Sequence, residues 1–286
     1  YMDGILLIDK QDQMTSFDVI RQLRKKLGIK KIGHAGTLDP FATGLLIILI
    51  GKATKLSDYL LNDDKTYESV FTFGTHTDTY DITGQILRES EYIPTLKDID
   101  VAMKTLESYE QEPPMYSAIK MNGQKLVDLA RKGKVVQRKK RTVEIKNYKI
   151  LSFEAPDLSL SLQVSKGTYV RSIAVDLATK LNTYAFVSSL RRTQSGKFHV
   201  KDAQKLHDIG VADVISLEKL LSHFPKITVS DFIASKVKHG MLLDERQYKG
   251  ETPFCVQNEK GEFLGFYDNH QENTYKPILT IDDETN

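Results

Sequence analysis

Residues 33–44 read Gly-His-Ala-Gly-Thr-Leu-Asp-Pro-Phe-Ala-Thr-Gly, setting one carboxylate, Asp39, among three glycines, a proline and two threonines. Glycine opens backbone angles closed to other residues, and proline fixes φ and removes an amide donor. The stretch is therefore a tightly turned loop. A carboxylate displayed on such a loop suits nucleophilic or proton-transfer chemistry; an Asx turn or helix cap is the competing reading. An ionised carboxylate in a partly dry pocket needs a cation beside it. Arg171 is one cation whose setting bears on this, at the end of Ser165-Lys166-Gly167-Thr168-Tyr169-Val170-Arg171, where a strand turns into a helix. An arginine in a first helical turn opposes the helix dipole, which argues weakly for an acidic partner. Tyr67 opens a strand and offers a flat ring. His34 has no second His or Cys near it in sequence, so it is a poor metal ligand.

The elements that position these residues follow from periodicity. Ile5–Ile8 reads as a first strand. Thr15-Ser16 cap a helix from Phe17 to Leu27 that Gly28 stops. Its apolar face is Ile20, Leu23 and Leu27. Leu45–Ile50 is a buried strand, followed by a short helix 53–61, a strand 67–74 and a polar loop 75–84. A helix is expected over 96–108, a proline-broken segment over 111–120 and a short helix over 125–131, then a basic run to Lys149. Leu158, Leu160, Leu162 and Val164 alternate with polar residues as a half-buried strand. Positions 170, 173, 174, 177, 178 and 181 form one helical stripe. Arg191-Arg192 reads as another basic patch. Neighbouring strands with interspersed helices give an α+β class. From about residue 226 the segments shorten, marking a boundary between 1–225 and 226–286.

Charge is segregated although the net charge is only +2. Residues 21–31 carry six bases and no acid, and residues 131–150 carry nine bases against Glu144 alone. Residues 228–286 hold six bases and eleven acids. Two basic segments in a near-neutral chain favour a polyanion partner over a merely solvated surface. No apolar run approaches the roughly 18 residues of a membrane span, and no signal peptide is expected. Tyr1, ahead of Met2, reads as an addition before a natural start. Cys255 is the single cysteine, expected to be a structural thiol, and it excludes a disulfide framework.

The motif Gly-His-x-Gly-Thr-Leu-Asp-Pro-x-Ala-Thr-Gly resembles the catalytic motif of TruB-type tRNA pseudouridine synthases. The resemblance extends over roughly residues 3–225 through at least four motifs in order. It implies a pseudouridine synthase fold with a mixed, mainly antiparallel sheet and a central RNA-binding cleft, plus a small PUA-type β-barrel over 226–286. It implies Asp39 as nucleophile, Arg171 as its partner, and Tyr67 as the tyrosine that stacks on the target base. It places His34 beside the flipped nucleotide, with Tyr169, Leu190 and Asp81 at the pocket. Pro113–Lys120 matches the start of an RNA-gripping insertion, about 111–142, where Lys120, Arg131 and Lys132 are expected at RNA. Lys10 and Thr15-Ser16 match part of a further motif, with Gln11 and Gln13 standing for its proline and glycine, so Lys10 is read as structural support. The implied reaction is isomerisation of the T-loop uridine of tRNA (position 55) by a cytoplasmic monomer, without cofactor or metal. An RNA chaperone that opens the tRNA elbow is the competing class. An aspartate phosphotransferase is disfavoured, since no acid cluster stands near Asp39 in sequence.

Overall fold

Gly4–Lys10 and Thr43–Ile50 pair antiparallel at the centre of the molecule, and each is apolar without alternation because both of its faces are covered. In the second of these strands Leu46, Ile48 and Ile50 face one cluster, with Val19, Ile20 and Leu23 of the helix Ser16–Leu27. Leu45, Ile47 and Leu49 face the other, with Ala53, Leu56 and Leu60. The structure is a computed structural model and describes residues 2–121 and 123–281. Tyr1 and the acids Asp282, Asp283 and Glu284 counted above lie outside them.

The strands belong to an 11-stranded mixed sheet. Its main path runs Gln204–Lys205, Gly4–Lys10, Thr43–Ile50, Ala185–Ser195, Lys65–Phe73, Asp157–Val164, Arg141–Glu154, Ser108–Gln111. The pairings among the four strands from Ala185–Ser195 to Arg141–Glu154 are antiparallel, while Ala185–Ser195 joins Thr43–Ile50 in parallel. Helices Leu96–Lys104 and Val170–Lys180 cover one face, where Ile173, Ala174 and Leu177 pack on Leu158, Leu160 and Leu162. This is the expected α+β architecture.

Local chemistry explains the ends. Thr15 and Asp18 form a capping box at Ser16–Leu27, and Gly28 closes that helix at φ 68°. A five-stranded sheet over Lys226–Thr280 packs Cys255, Phe266 and Leu279 into the cluster around Leu45 and Ile47. Cys255 is buried, as a structural thiol should be, and burial pushes its pKa up to about 11.

Several expectations change. The helix expected over 96–108 ends at Lys104, because Ser108–Gln111 leaves it to pair with Arg141–Glu144. The end of the basic run is a 14-residue strand, Arg141–Glu154, whose Val143 and Ile145 point into the core. The polar loop 75–84 begins with a short strand, Thr75–Thr77, paired to Ile86–Glu89. The helix expected over 53–61 is a 3-10 turn, Gly51–Leu56, running into Ser57–Leu61.

Candidate active site

Asp39 sits in a turn closed by a hydrogen bond from Ala42 N to its carbonyl at 3.0 Å, with Pro40 in the position whose fixed φ suits it. Helix Ser16–Leu27 supports the loop: Ser16 Oγ accepts from Leu38 N at 2.9 Å. Lys10 supports it from below, with Nζ donating to the carbonyls of Gln11, Met14 and, at 3.2 Å, Pro40. Lys10 is 1 % exposed, so structural support is the role its geometry displays. Burial lowers its pKa to about 8, partly offset by the nearby Asp39.

Arg171 lies in the first turn of Val170–Lys180, and its side chain is 3 % exposed. Its Nη2 donates to Asp39 Oδ1 at 2.9 Å, and Nε lies 2.7 Å from Oδ2. The same guanidinium donates to the carbonyls of Thr79 and Tyr116 and stands 3.7 Å from Asp81 Oδ2. One arginine therefore joins the Asp39 loop, the 75–84 segment and the insertion. Two carboxylates near it offset the unfavourable helix end. Burial raises the Asp39 pKa; Arg171 opposes the rise and Asp81 adds to it. Asp81 is fixed in turn by Thr79 and Thr83, whose hydroxyls donate to its Oδ1.

The carboxylate opens into a pocket of about 260 Å³ lined by Tyr67, Tyr169, Leu190, Arg192 and Lys65 besides Asp39 and Arg171. Register explains the convergence. Tyr67 pairs with Leu162 on one side and Arg192 on the other, and Leu190 lies two residues along on the same face. Tyr169 is held by Gln111, which accepts from its N–H at 2.8 Å and donates to its carbonyl at 3.2 Å. Burial raises the Tyr169 pKa.

Not every expected residue meets there. His34 is half-buried on the strand Ile32–His34 leading into the loop and is not in the pocket wall. Burial, with Arg192 nearby, lowers its pKa, so it is neutral at physiological pH. Lys120, Arg131 and Lys132 line a separate hollow on the insertion. That insertion leaves and rejoins the sheet at Gln111 and Arg141, which are register partners, and carries its own core of Met115, Leu126 and Leu129. Arg138, within the basic run, turns inward to Glu112.

The basic patch expected at Arg191-Arg192 is not one. Arg191 pairs with Asp9 at 2.9 Å, and Arg192 is 2 % exposed. Both lie in the strand Ala185–Ser195, whose alternation turns Arg192 inward beside Leu190. Three contributors were missed: Arg192, Gln111 and Lys65. The parity of Leu190 and Arg192 was a usable signal for the first. Gln111 and Lys65 show nothing in sequence that separates them from surface polar residues. Lys65 donates to the carbonyl of Leu61 at 2.6 Å, and burial lowers its pKa to about 8. Among the described residues no group of three or more His, Cys, Asp or Glu is placed to hold a metal ion. No helix among them is long and apolar enough to cross a membrane.

The TruB family pseudouridylate synthase N-terminal domain matches residues 24–170, and the tRNA pseudouridylate synthase B C-terminal domain matches 171–224. The chain belongs to the TruB family. It is 41% identical over 273 residues to tRNA pseudouridine synthase B of Acholeplasma laidlawii, covering 94% of this chain and 98% of that one. The protein of the same name from Borrelia garinii subsp. bavariensis is 40% identical, at 97% and 99% coverage. Among solved structures, a Cbf5-Nop10-Gar1 complex superposes with TM-score 0.71 at 24% identity, over 98% of this chain and 86% of that one. An H/ACA RNP bound to a substrate RNA containing 2'-deoxyuridine gives 0.69 at 23% identity, with the same coverages. These last two show a shared fold.

Proposed function

We propose that this protein isomerises the T-loop uridine of tRNA to pseudouridine in the cytoplasm, as a monomer, with Asp39 as nucleophile. The observation that carries the reading is the two-point contact of Arg171 with Asp39 on the wall of a pocket that also presents Tyr67. Relatives about 40% identical over nearly the whole chain are named for the tRNA reaction.

The reaction breaks N1–C1′, turns the uracil and joins C1′ to C5; the C5 proton goes to solvent and N1 gains one. A carboxylate drives it by attack at either C1′ or C6 and then leaves. Arg171 favours the ionised Asp39 that attacks, against the burial that raises its pKa. Tyr67 faces a base that must turn in its own plane, and Leu190 packs beside it. The uridine must first leave its stack, at a cost of a few kcal/mol. Lys120, Arg131 and Lys132 on the insertion offset that cost through phosphate contacts, which position the RNA without reading its sequence. The sheet over 226–280 serves as a second, PUA-type contact surface.

The test uses two tRNA transcripts tritiated at every uracil C5, one with the T-loop uridine and one with cytidine in its place. Label release from the first alone supports the reading. Equal release from both overturns the site assignment. Tight binding without release from either favours the chaperone class.

A further inference from the structure

Arg192 lines the pocket without a role in the reaction as described, is 2 % exposed, and pairs in register with both Tyr67 and Gly44. Its guanidinium spans the two ends of the loop that carries Asp39. At the entry, Nη2 donates to Gly36 O at 3.2 Å and Nη1 to Thr37 O at 3.3 Å. At the exit, Nε donates to Leu45 O at 2.7 Å. All three partners are backbone carbonyls, so a buried charge has been installed for its donor geometry. The main chain adds a further constraint: a Cβ on Gly44 would stand 2.2 Å from the Arg192 carbonyl oxygen.

We propose that Arg192 is a positioning residue that fixes the separation of the ends of loop 36–45 and thereby places the Asp39 carboxylate against Arg171 and Tyr67. Three carbonyls at two points of the chain need a planar fork of donors, which lysine lacks. The loop is also tied by Ser16 at Leu38, Lys10 at Pro40 and Arg171 at Asp39, and its flanking strands pair as far as Ala35 N, which donates to Ile47 O at 2.9 Å. Arg192 bridges the two ends from inside that pairing. Asp39 also faces Arg171 from the helix, Asp81 from the 75–84 segment and Lys10 from the first strand. Those three charges remain when Arg192 is replaced, so the loss falls on distance more than on charge.

The proposal rests on Asp39 as nucleophile, so its test has an arm that needs no activity. Arg192→Lys and Arg192→Gln are compared with wild type by amide hydrogen exchange and by single-turnover label release from tritiated tRNA. Protection should be lost over residues 36–45 while the strands Gly4–Lys10 and Lys65–Phe73 keep theirs. The single-turnover rate should fall about 100-fold, the effect of a misplacement near 1 Å, with the Kd for tRNA unchanged. Unchanged loop protection in both variants would overturn the proposal. So would activity that falls only with the folded fraction, or global unfolding of both variants, since each makes Arg192 an ordinary core residue. An inactive wild type would remove the reading of Asp39 and leave the exchange arm readable.

Discussion

At the scale of single residues, the site opposes two demands on Asp39. Burial favours its neutral form, and Arg171 favours the charged form that attacks. Because the folded pKa is raised, the folded protein holds this proton more tightly than the unfolded chain does. The group's contribution to stability is thus present below its unfolded pKa and is lost as pH rises through the folded one. Asp39→Asn should therefore melt no lower than wild type at pH 7, and the difference should shrink in acid; thermal melts at several pH values check this. The acid limb of kcat/KM should titrate above the ordinary aspartate value of 3.8. Removing the guanidinium strands two carboxylates, so Arg171→Met should destabilise by about 3–5 kcal/mol in urea denaturation. Asp39, Arg171 and Tyr67 were legible through motifs that resemble the family's, with the glycine- and proline-shaped loop and the strand-to-helix turn adding local support for the first two. Gln111 was not, since its two bonds to the Tyr169 backbone join residues far apart in sequence.

At the scale of elements, the loop is only as well placed as the strands that hold it. Gly44 has φ 101° and no room for a Cβ. Gly44→Ala should cost about 2 kcal/mol or more, from left-handed strain plus the clash, measured as a drop in the urea midpoint at constant slope. The insertion should act separately. Arg131→Gln with Lys132→Gln should weaken tRNA binding and lower the salt slope by about 1 for each phosphate that is no longer neutralised, with kcat unchanged; an unaltered slope would contradict a phosphate role. Elements with pure patterns were legible, such as the unbroken run Leu45–Ile50 and the alternating 158–164. The strand Arg141–Glu154 was hidden because its outward positions carry the charges, and charge density masked the inward Val143 and Ile145. The same masking turned Arg192 into an apparent surface patch.

At the scale of the whole molecule, the C-terminal sheet shares a core with the body that carries the site. Phe266 is fully buried, with its ring 5.4 Å from Tyr59 and 4.9 Å from Phe224. Phe266→Ala should cost about 3–5 kcal/mol and lower one common unfolding transition; two separated transitions would show independent units. The change in segment texture near residue 226 was legible, but the packing of that sheet against Leu45 and Ile47 was not, because long-range contacts leave no local pattern. The central claim is that Asp39 forms the bond that starts the isomerisation. Its most direct test is single-turnover release of tritium from uracil C5 in tRNA, with Asp39→Asn beside wild type at saturating enzyme. The account predicts equal tRNA binding and a release rate lower by a factor on the order of 10⁴ or more. Release by Asp39→Asn at the wild-type rate would contradict it.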